Sequence, residues 1–356
     1  MIGIRRFLPA LVLIACLALS RFACAHPDPL ENIKIYSYIL SVSPNQALVH
    51  LNRGICYRMV FDYEKAIEDF NKAEELGVKG RPLWMNRAMA CLPIKRFDLA
   101  HADLSRILEE DPKEPTIYFY RGEVLFRQGR FKEAIREYSA SLEVKNSHYV
   151  RFVRADAYRT IGEAAAALSD YGQAISMAPQ MVAYRLARAR LLGGLGRFAE
   201  ARADLDAAAE KQPERYQIFI DRAVLSASEA LDASRVADLK LAMKFVEDEL
   251  FFQPTNPAVY ADRAQVHELL GEIDKARDDL NKAVELASEN DSKFLRLRAA
   301  FLRRAGDSAS AEADLALAAQ VDARPIPTAT PLPGPTLSPQ DLLMQPTPNL
   351  LPELQK

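Results

Sequence analysis

A block of 34 residues recurs along the chain, and this period restricts the fold more than any other feature. Small residues mark the blocks at spacings of 34, 34, 33, 34, 34, 41 and 35, and these anchors are Gly54, Ala88, Gly122, Ala155, Ala189, Ala223, Ala264 and Ala299. In the block at residues 118–147, two amphipathic segments flank a turn at Gly129 and Arg130. A two-helix unit of this length buries its apolar face only by stacking on its neighbours. The sequence therefore predicts an elongated all-α solenoid.

Other positions of the block are also constant. When the anchor is numbered position 8, position 20 is alanine in seven of the eight repeats and position 24 is always large and apolar or aromatic. Prolines at position 32 end three of the second helices, at Pro112, Pro179 and Pro213. This pattern resembles the tetratricopeptide repeat over residues 47–323. The resemblance implies a right-handed α-solenoid of about eight helix–turn–helix repeats.

The expected repeats divide the chain into consecutive segments. They are residues 47–80, 81–114, 115–147, 148–181, 182–215, 216–256, 257–291 and 292–323. Residues 26–46 are expected to be a linker and a capping half-repeat, as a solenoid end requires. The sixth repeat has seven extra residues after Ala242. Because seven residues make two helical turns, its second helix should project and carry Phe245, Phe251 and Phe252, the alternative being a loop after the helix.

Two charged positions go beyond the usual repeat pattern. Position 7 is always arginine and position 23 always acidic, and each pair is separated by 16 residues. The pairs are Arg53 and Asp69, Arg87 and Asp103, Arg121 and Glu137, Arg154 and Asp170, Arg188 and Asp204, Arg222 and Asp238, Arg263 and Asp279, and Arg298 and Asp314. A guanidinium can bind a carboxylate through two parallel hydrogen bonds. We interpret the pairs as structural links between helices; a charged strip for a ligand is the alternative.

The N-terminus has the pattern of a secretory signal. Arg5 and Arg6 precede an apolar run, and Ala23-Cys24-Ala25 offers the small residues of a cleavage site. We therefore expect residues 1–25 to be a signal peptide that is cut after Ala25, which places the mature protein in the periplasm or outside the cell. A rival interpretation is a lipoprotein, because the residues before Cys16 resemble a bacterial lipobox. An uncleaved anchor is the third possibility.

The C-terminal segment and the cysteines add two further expectations. Nine prolines lie in residues 324–356, so we expect a disordered tail without packed helices. The tail is either a free terminus or a docking peptide. Cys56 and Cys91 remain in the mature chain, on first helices of adjacent repeats. Such helices pack too far apart for an easy disulfide, so we expect two buried thiols, with a disulfide as the alternative.

The sequence contains no recognised catalytic motif. His26, His50, His101, His148 and His267 are scattered, without a metal-binding pair one helical turn apart. There is no nucleophile elbow, phosphate-binding glycine loop or Cys-x-x-Cys motif. The net charge of -2 does not favour nucleic-acid binding. We therefore predict no enzyme activity, no cofactor and no metal, although a site assembled across repeats would escape this reasoning.

The resemblance also indicates where a partner would bind. In tetratricopeptide proteins the first helices line a concave groove, mostly through positions 2, 5, 9, 12 and 13, which we call the groove positions. We predict a partner-binding groove at Met59, Met85, Met89, Phe119, Phe126, Tyr149 and Phe152. Exposed apolar strips of this kind usually have an occupant. Another part of the chain or a second copy is the alternative occupant.

The predicted function is an exported scaffold that binds an extended or helical segment of another protein. Some family members hold a C-terminal carboxylate in a lysine–asparagine clamp, but only Asn86 matches that clamp here, so chaperone-tail binding is not expected. The alternative function is a lipid-anchored component of an envelope assembly, attached through Cys16. Membrane contact is expected only if the chain is lipidated or keeps its signal.

Overall fold

A computed structural model describes residues 28–225, 233–289 and 291–323 of the chain. The predicted signal peptide, with Cys16 and the cleavage site, lies outside these ranges. The Pro-rich tail at residues 324–356 also lies outside them. The signal peptide, the lipid anchor and the disordered tail therefore stay predictions.

The described residues form seventeen α-helices and no β-strand. The helices are α1 (Pro29–Val42), α2 (Ala47–Met59), α3 (Tyr63–Glu75), α4 (Arg81–Cys91), α5 (Phe97–Glu110), α6 (Pro115–Arg127), α7 (Phe131–Val144), α8 (His148–Thr160), α9 (Ala164–Met177), α10 (Val182–Gly194), α11 (Phe198–Lys211), α12 (Tyr216–Leu225), α13 (Ala233–Phe252), α14 (Pro257–Leu269), α15 (Ile273–Leu286), α16 (Lys293–Arg304) and α17 (Ser308–Ala323). This is the all-α helical-repeat solenoid that the period predicts. Helix α1 stands before the first repeat, where a capping half-repeat is expected.

Local signals set the helix ends. Prolines occupy the first turn of α1, α4, α6 and α14, where a missing N–H breaks no helical hydrogen bond. The side chains of Asp28, Asp62 and Asn256 accept hydrogen bonds from backbone N–H groups of the turn that follows. None of the helices in the described ranges is long and apolar enough to cross a membrane.

The turn between the two helices of a repeat requires one residue in the left-handed region. Glycine supplies it at Gly129, Gly162, Gly196, Gly271 and Gly306, which have φ between 73° and 87°. The first two repeats place Phe61 and Lys95 there instead, at φ of 64° and 59°. A side chain in this region costs about 1 kcal/mol, so these two turns carry backbone strain.

Small and large residues alternate in the core as the repeat pattern predicts. The anchors at position 8 and the alanines at position 20 are buried, which allows close helix approach. The large residues at position 24, such as Phe70, Leu104 and Tyr171, are fully buried between layers. Close packing of this kind explains why these positions vary so little in size along the chain.

The described chain divides into two compact units, one up to Val150 and the other from Arg151. In the first unit, α1 packs on α2, and helices α2 to α7 pack as consecutive antiparallel pairs. In the second unit, α10 to α17 pack in the same way, each first helix on its own second helix and on the preceding one.

The extra residues of the sixth repeat extend its second helix and do not form a loop after it. Helix α13 has 20 residues and runs through the whole insertion. Its last residues, Phe251 and Phe252, are 79% and 76% exposed. Phe245 is different, because its ring stacks on Phe219 at 6.1 Å between centroids and is only partly exposed. The projecting end therefore carries two of the three predicted aromatic residues.

Candidate functional site

Each of the eight position-7 arginines contacts the position-23 carboxylate of its own repeat. In the second repeat, Arg87 donates from Nε to Oδ2 of Asp103 at 2.7 Å and from Nη2 to Oδ1 at 2.8 Å. The same two-bond geometry joins Arg53 to Asp69, Arg154 to Asp170, Arg188 to Asp204, Arg222 to Asp238, Arg263 to Asp279 and Arg298 to Asp314. These forks connect the two helices of a repeat.

The third repeat departs from this geometry. Arg121 donates only one hydrogen bond to Glu137, from Nη2 to Oε1 at 2.7 Å. Arg121 Nε and Glu137 Oε2 are buried and have no partner. Glutamate is one methylene longer than aspartate, so its carboxylate is displaced relative to the guanidinium. Burial raises the pKa of Glu137, while the nearby Arg121 opposes that rise.

A third guanidinium nitrogen often reaches the preceding repeat. Arg87 Nη1 donates to Asn71 Oδ1 at 2.9 Å, and Arg222 Nη1 donates to Asp206 Oδ1 at 2.8 Å. In the first repeat, Arg53 Nη1 donates to Ser37 of α1 at 3.1 Å. One arginine therefore touches the second helix on either side of it. The contact to the preceding helix spans 16 residues, as the contact within the repeat does.

This geometry leaves little of the pairs for a ligand. The carboxylates are almost completely buried, with Asp103 0% exposed. Removing one partner of such a buried pair leaves an uncompensated charge. The arrangement is that of a structural link that fixes the register of the helices.

Three predicted groove methionines lie on the first helices of the first unit and retain open surface. Met59 at the end of α2 is 52% exposed, and Met85 and Met89 on α4 are partly exposed. Leu48, at another groove position of α2, is 64% exposed. Flexible thioether side chains suit a surface that adapts to its ligand.

Phe126 and Tyr149 contribute less open surface. Phe126 is partly buried, with its ring 5.2 Å from that of Phe131. Tyr149 is also partly buried, and its ring lies 5.7 Å from that of Phe119.

The prediction for Phe119 is wrong. Its side chain is 0% exposed, and its ring contacts those of Tyr120, Tyr138 and Tyr149 at centroid distances of 5.2, 6.1 and 5.7 Å. Position 5 of α6 points into the seam between helices, where these three tyrosines cover it. Phe119 is therefore a core residue of the first unit and not a groove residue.

Phe152 belongs to the second unit and is only partly open. Its ring stacks on Tyr184 at 4.6 Å and lies 5.9 Å from Tyr171. Much of this side chain packs against the interior of its own unit.

Small residues on α10 leave a hollow in the second unit that sequence reasoning overlooked. It is apolar, has a volume of about 390 Å³, and is lined by Ala189, Arg190, Gly193, Gly194, Phe198, Leu205, Asp221, Val224 and Leu225. Missing side chains create the hollow, and the unusual Gly193-Gly194 pair in a helix was the available signal.

Two partly buried carboxylates, Asp221 and Asp262, interact electrostatically in the second unit. Arg190 Nε donates to Asp221 Oδ2 at 2.9 Å, and the Tyr216 hydroxyl donates to Asp262 Oδ2 at 2.9 Å. Burial raises the pKa of both carboxyl groups, and these partners oppose the rise.

The potential metal ligands and the two cysteines show no arrangement for binding or catalysis within the described ranges. Within the described ranges, no group of three or more His, Cys, Asp or Glu side chains could hold a metal ion. Cys56 and Cys91 are not joined by a disulfide and are both buried, as expected for small apolar side chains. Burial raises the pKa of Cys91 to about 12, so its thiol stays protonated at neutral pH.

Stacked helix pairs with exposed methionines on their first helices define a helical-repeat protein of the kind that serves as a protein–protein interaction scaffold. Sequence profiles of the tetratricopeptide repeat match residues 95–149, 152–216, 186–242 and 257–290. The chain belongs to the tetratricopeptide repeat family.

Individual relatives share parts of the chain. DnaJ homolog subfamily C member 3 of Rattus norvegicus is 27% identical over 185 residues, which are 49% of this chain and 37% of that protein. Small glutamine-rich tetratricopeptide repeat-containing protein 2 of Mycosarcoma maydis is 37% identical over 89 residues, 25% of each chain. Both alignments therefore span well under half of the relative.

A solved structure shows the same fold. The tetratricopeptide repeat protein from Parabacteroides merdae superposes with a TM-score of 0.51 at 18% identity, over 67% of this chain and 92% of that chain.

Proposed function

We propose that this protein is exported and binds a segment of another protein on the groove positions of its first helices. The observation that carries the proposal is the set of apolar side chains left open in the first unit, at Leu48, Met59, Met85 and Met89. Apolar area on a rigid helical surface favours burial against a partner, because each square ångström removed from water contributes about 25 cal/mol.

The alternative to a soluble exported protein is a lipid-anchored one. The residues Leu13, Ile14 and Ala15 before Cys16 favour this possibility. Intact-mass measurement of the protein recovered from its host distinguishes the two. A chain that begins at His26 supports cleavage after Ala25, and a diacylglycerol on Cys16 supports the anchor.

Site-specific photo-crosslinking tests the groove. A photoreactive amino acid is placed singly at Met85 or Met89, and at Met177 as a control. Met177 has 42% of its surface exposed but lies in the last turn of the second helix α9. We expect a discrete adduct with one partner from the first two positions and none from the control. Equal labelling at all three positions would contradict the proposal.

A further inference from the structure

Arg58 differs from the other arginines that are partly buried in the first unit. It occupies groove position 12 at the end of α2, and its Nε donates to Asn86 Oδ1 at 3.1 Å. Asn86 is itself held by a hydrogen bond from its Nδ2 to the Pro82 carbonyl at 2.7 Å. The guanidinium is thus oriented by a neutral amide of the next repeat.

No carboxylate balances this charge. Within the described ranges, no Asp or Glu oxygen lies within 4.0 Å of the Arg58 guanidinium. Arg53, one turn earlier on α2, has Asp69 at 2.7 Å. Burial lowers the pKa of Arg58, whereas the hydrogen bond that Arg53 donates to Asp69 raises the pKa of Arg53. A partly desolvated cation without a counter-ion is costly for the free protein.

Two phenol groups lie beside this cation. Burial raises the pKa of Tyr63 and of Tyr120, and the Arg58 charge opposes that rise in both. Neither hydroxyl makes a hydrogen bond within the described residues. Neither these hydroxyls nor the two terminal nitrogens of Arg58 are among the fully buried polar atoms. The two terminal nitrogens of Arg58 are therefore open to a ligand, and both hydroxyls lie within electrostatic reach of this cation.

We propose that Arg58, braced by Asn86 and accompanied by Tyr63 and Tyr120, binds an acidic side chain of the partner segment. The two free guanidinium nitrogens offer a fork that matches the two oxygens of one carboxylate. A single cation balances one carboxylate charge and would leave a phosphate dianion half neutralised. The neighbouring Met85 and Met89 would hold apolar residues of the same segment. This inference rests on the proposed function.

Peptide selection on the purified protein tests the inference. A library of random heptapeptides is displayed with both ends fused, so that only side-chain carboxylates are offered. Selection is run on the wild type, on Arg58→Gln and on Arg96→Gln. Arg96 is the matched control, because it is exposed, lies in the same unit and forms no ion pair with any residue that the structure describes. We expect Asp or Glu to be enriched at one position with the wild type and Arg96→Gln, and not with Arg58→Gln.

Calorimetry then measures the coupling with one synthetic peptide from the selection. Replacing its acidic residue by the amide should weaken binding at least tenfold on the wild type and less than twofold on Arg58→Gln. Arg58→Lys keeps the charge without the fork and should give an intermediate loss. Inorganic phosphate should displace the peptide no better than acetate at equal ionic strength.

The failures of the two proposals are distinguishable. Peptides selected without an acidic preference, or with one that survives Arg58→Gln, would overturn the carboxylate site and leave the groove intact. Stronger displacement by phosphate would also overturn it. If no peptide is enriched on any variant, the proposed groove function itself fails. Circular dichroism of Arg58→Gln is the folding control. Because the substitution removes an unbalanced charge, the helical content should be unchanged.

Discussion

The single-bonded pair in the third repeat offers a direct test of how the Arg–carboxylate links work. Glu137→Asp should restore the fork found in the other seven repeats. It removes two buried unpaired atoms, Arg121 Nε and Glu137 Oε2, and adds a charge-assisted hydrogen bond. Pairing these two groups with each other contributes about 1.5–3 kcal/mol to the free energy of unfolding.

Two opposing effects reduce this gain. The lost methylene costs up to about 0.8 kcal/mol of apolar burial. Aspartate is also a weaker helix former than glutamate, by a few tenths of a kcal/mol. We therefore expect Glu137→Asp to raise the stability of the surrounding helices by about 1 kcal/mol, the difference between these contributions.

The gain should depend on pH. Burial raises the pKa of Glu137 above its ordinary value of 4.5, so the folded state holds this proton more tightly than the unfolded state. Wild-type stability from this group is therefore fully present below 4.5 and is lost as pH rises through the folded-state pKa. The advantage of Glu137→Asp should be larger at pH 7 than at pH 4.

Native-state hydrogen exchange of α6 and α7 is the suitable assay, because repeat arrays do not always unfold in two states. Asp103→Glu provides the reverse control. Asp103 is 0% exposed, so an added methylene should cost about 1–3 kcal/mol through overpacking and a broken fork. A measured loss of stability in Glu137→Asp at pH 7 would refute the reasoning that the longer side chain is misfitted.

Four further substitutions test other parts of the structure. Phe119→Ala should destabilise the first unit by about 3–5 kcal/mol in urea unfolding, since it opens a cavity among three tyrosines. A loss below about 1 kcal/mol would support the original assignment of Phe119 as an exposed groove residue. Lys95→Gly should stabilise its turn by about 0.5–1 kcal/mol, and Gly129→Ala should destabilise the turn of the third repeat by about 1–2 kcal/mol. The two variants should shift the urea midpoint in opposite directions, and shifts of the same sign would contradict the strain assigned to Lys95. Arg154→Ala should lower the free energy of unfolding by about 1–3 kcal/mol, because buried Asp170 loses both hydrogen bonds from Arg154 and keeps the longer one from Arg151 Nη1 at 3.3 Å. A neutral result in thermal unfolding would mean that the forks are not stabilising links.

The repeat architecture was predictable because its signals are local. A hairpin of two helices has a fixed geometry, so a separation of 16 residues places an arginine and a carboxylate at the same height on facing helices. The eight pairs, the buried anchors and the long α13 all follow from positions within one block. The single bond of Glu137 follows from its extra methylene, but only once the fork geometry of the aspartates is known.

The candidate site was only partly predictable. The family resemblance indicated which helix positions face the groove, and Met59, Met85 and Met89 do retain open surface. It could not indicate that tyrosines from its own helix and from the next two helices would cover Phe119. Nor did it single out Arg58, whose importance lies in the absence of a counter-charge from every helix around it.

The sequence by itself determined the order of the helices, the repeat register and the structural charge pairs, because these depend on spacing along the chain. The tertiary structure alone decided which apolar side chains stay open, where glycine pairs leave a hollow, and which buried charge lacks a partner. The physical reason is that exposure and desolvation are set by the neighbouring layers. A side chain at a given repeat position meets different neighbours in each layer, so the same position is core at Phe119 and open surface at Met85.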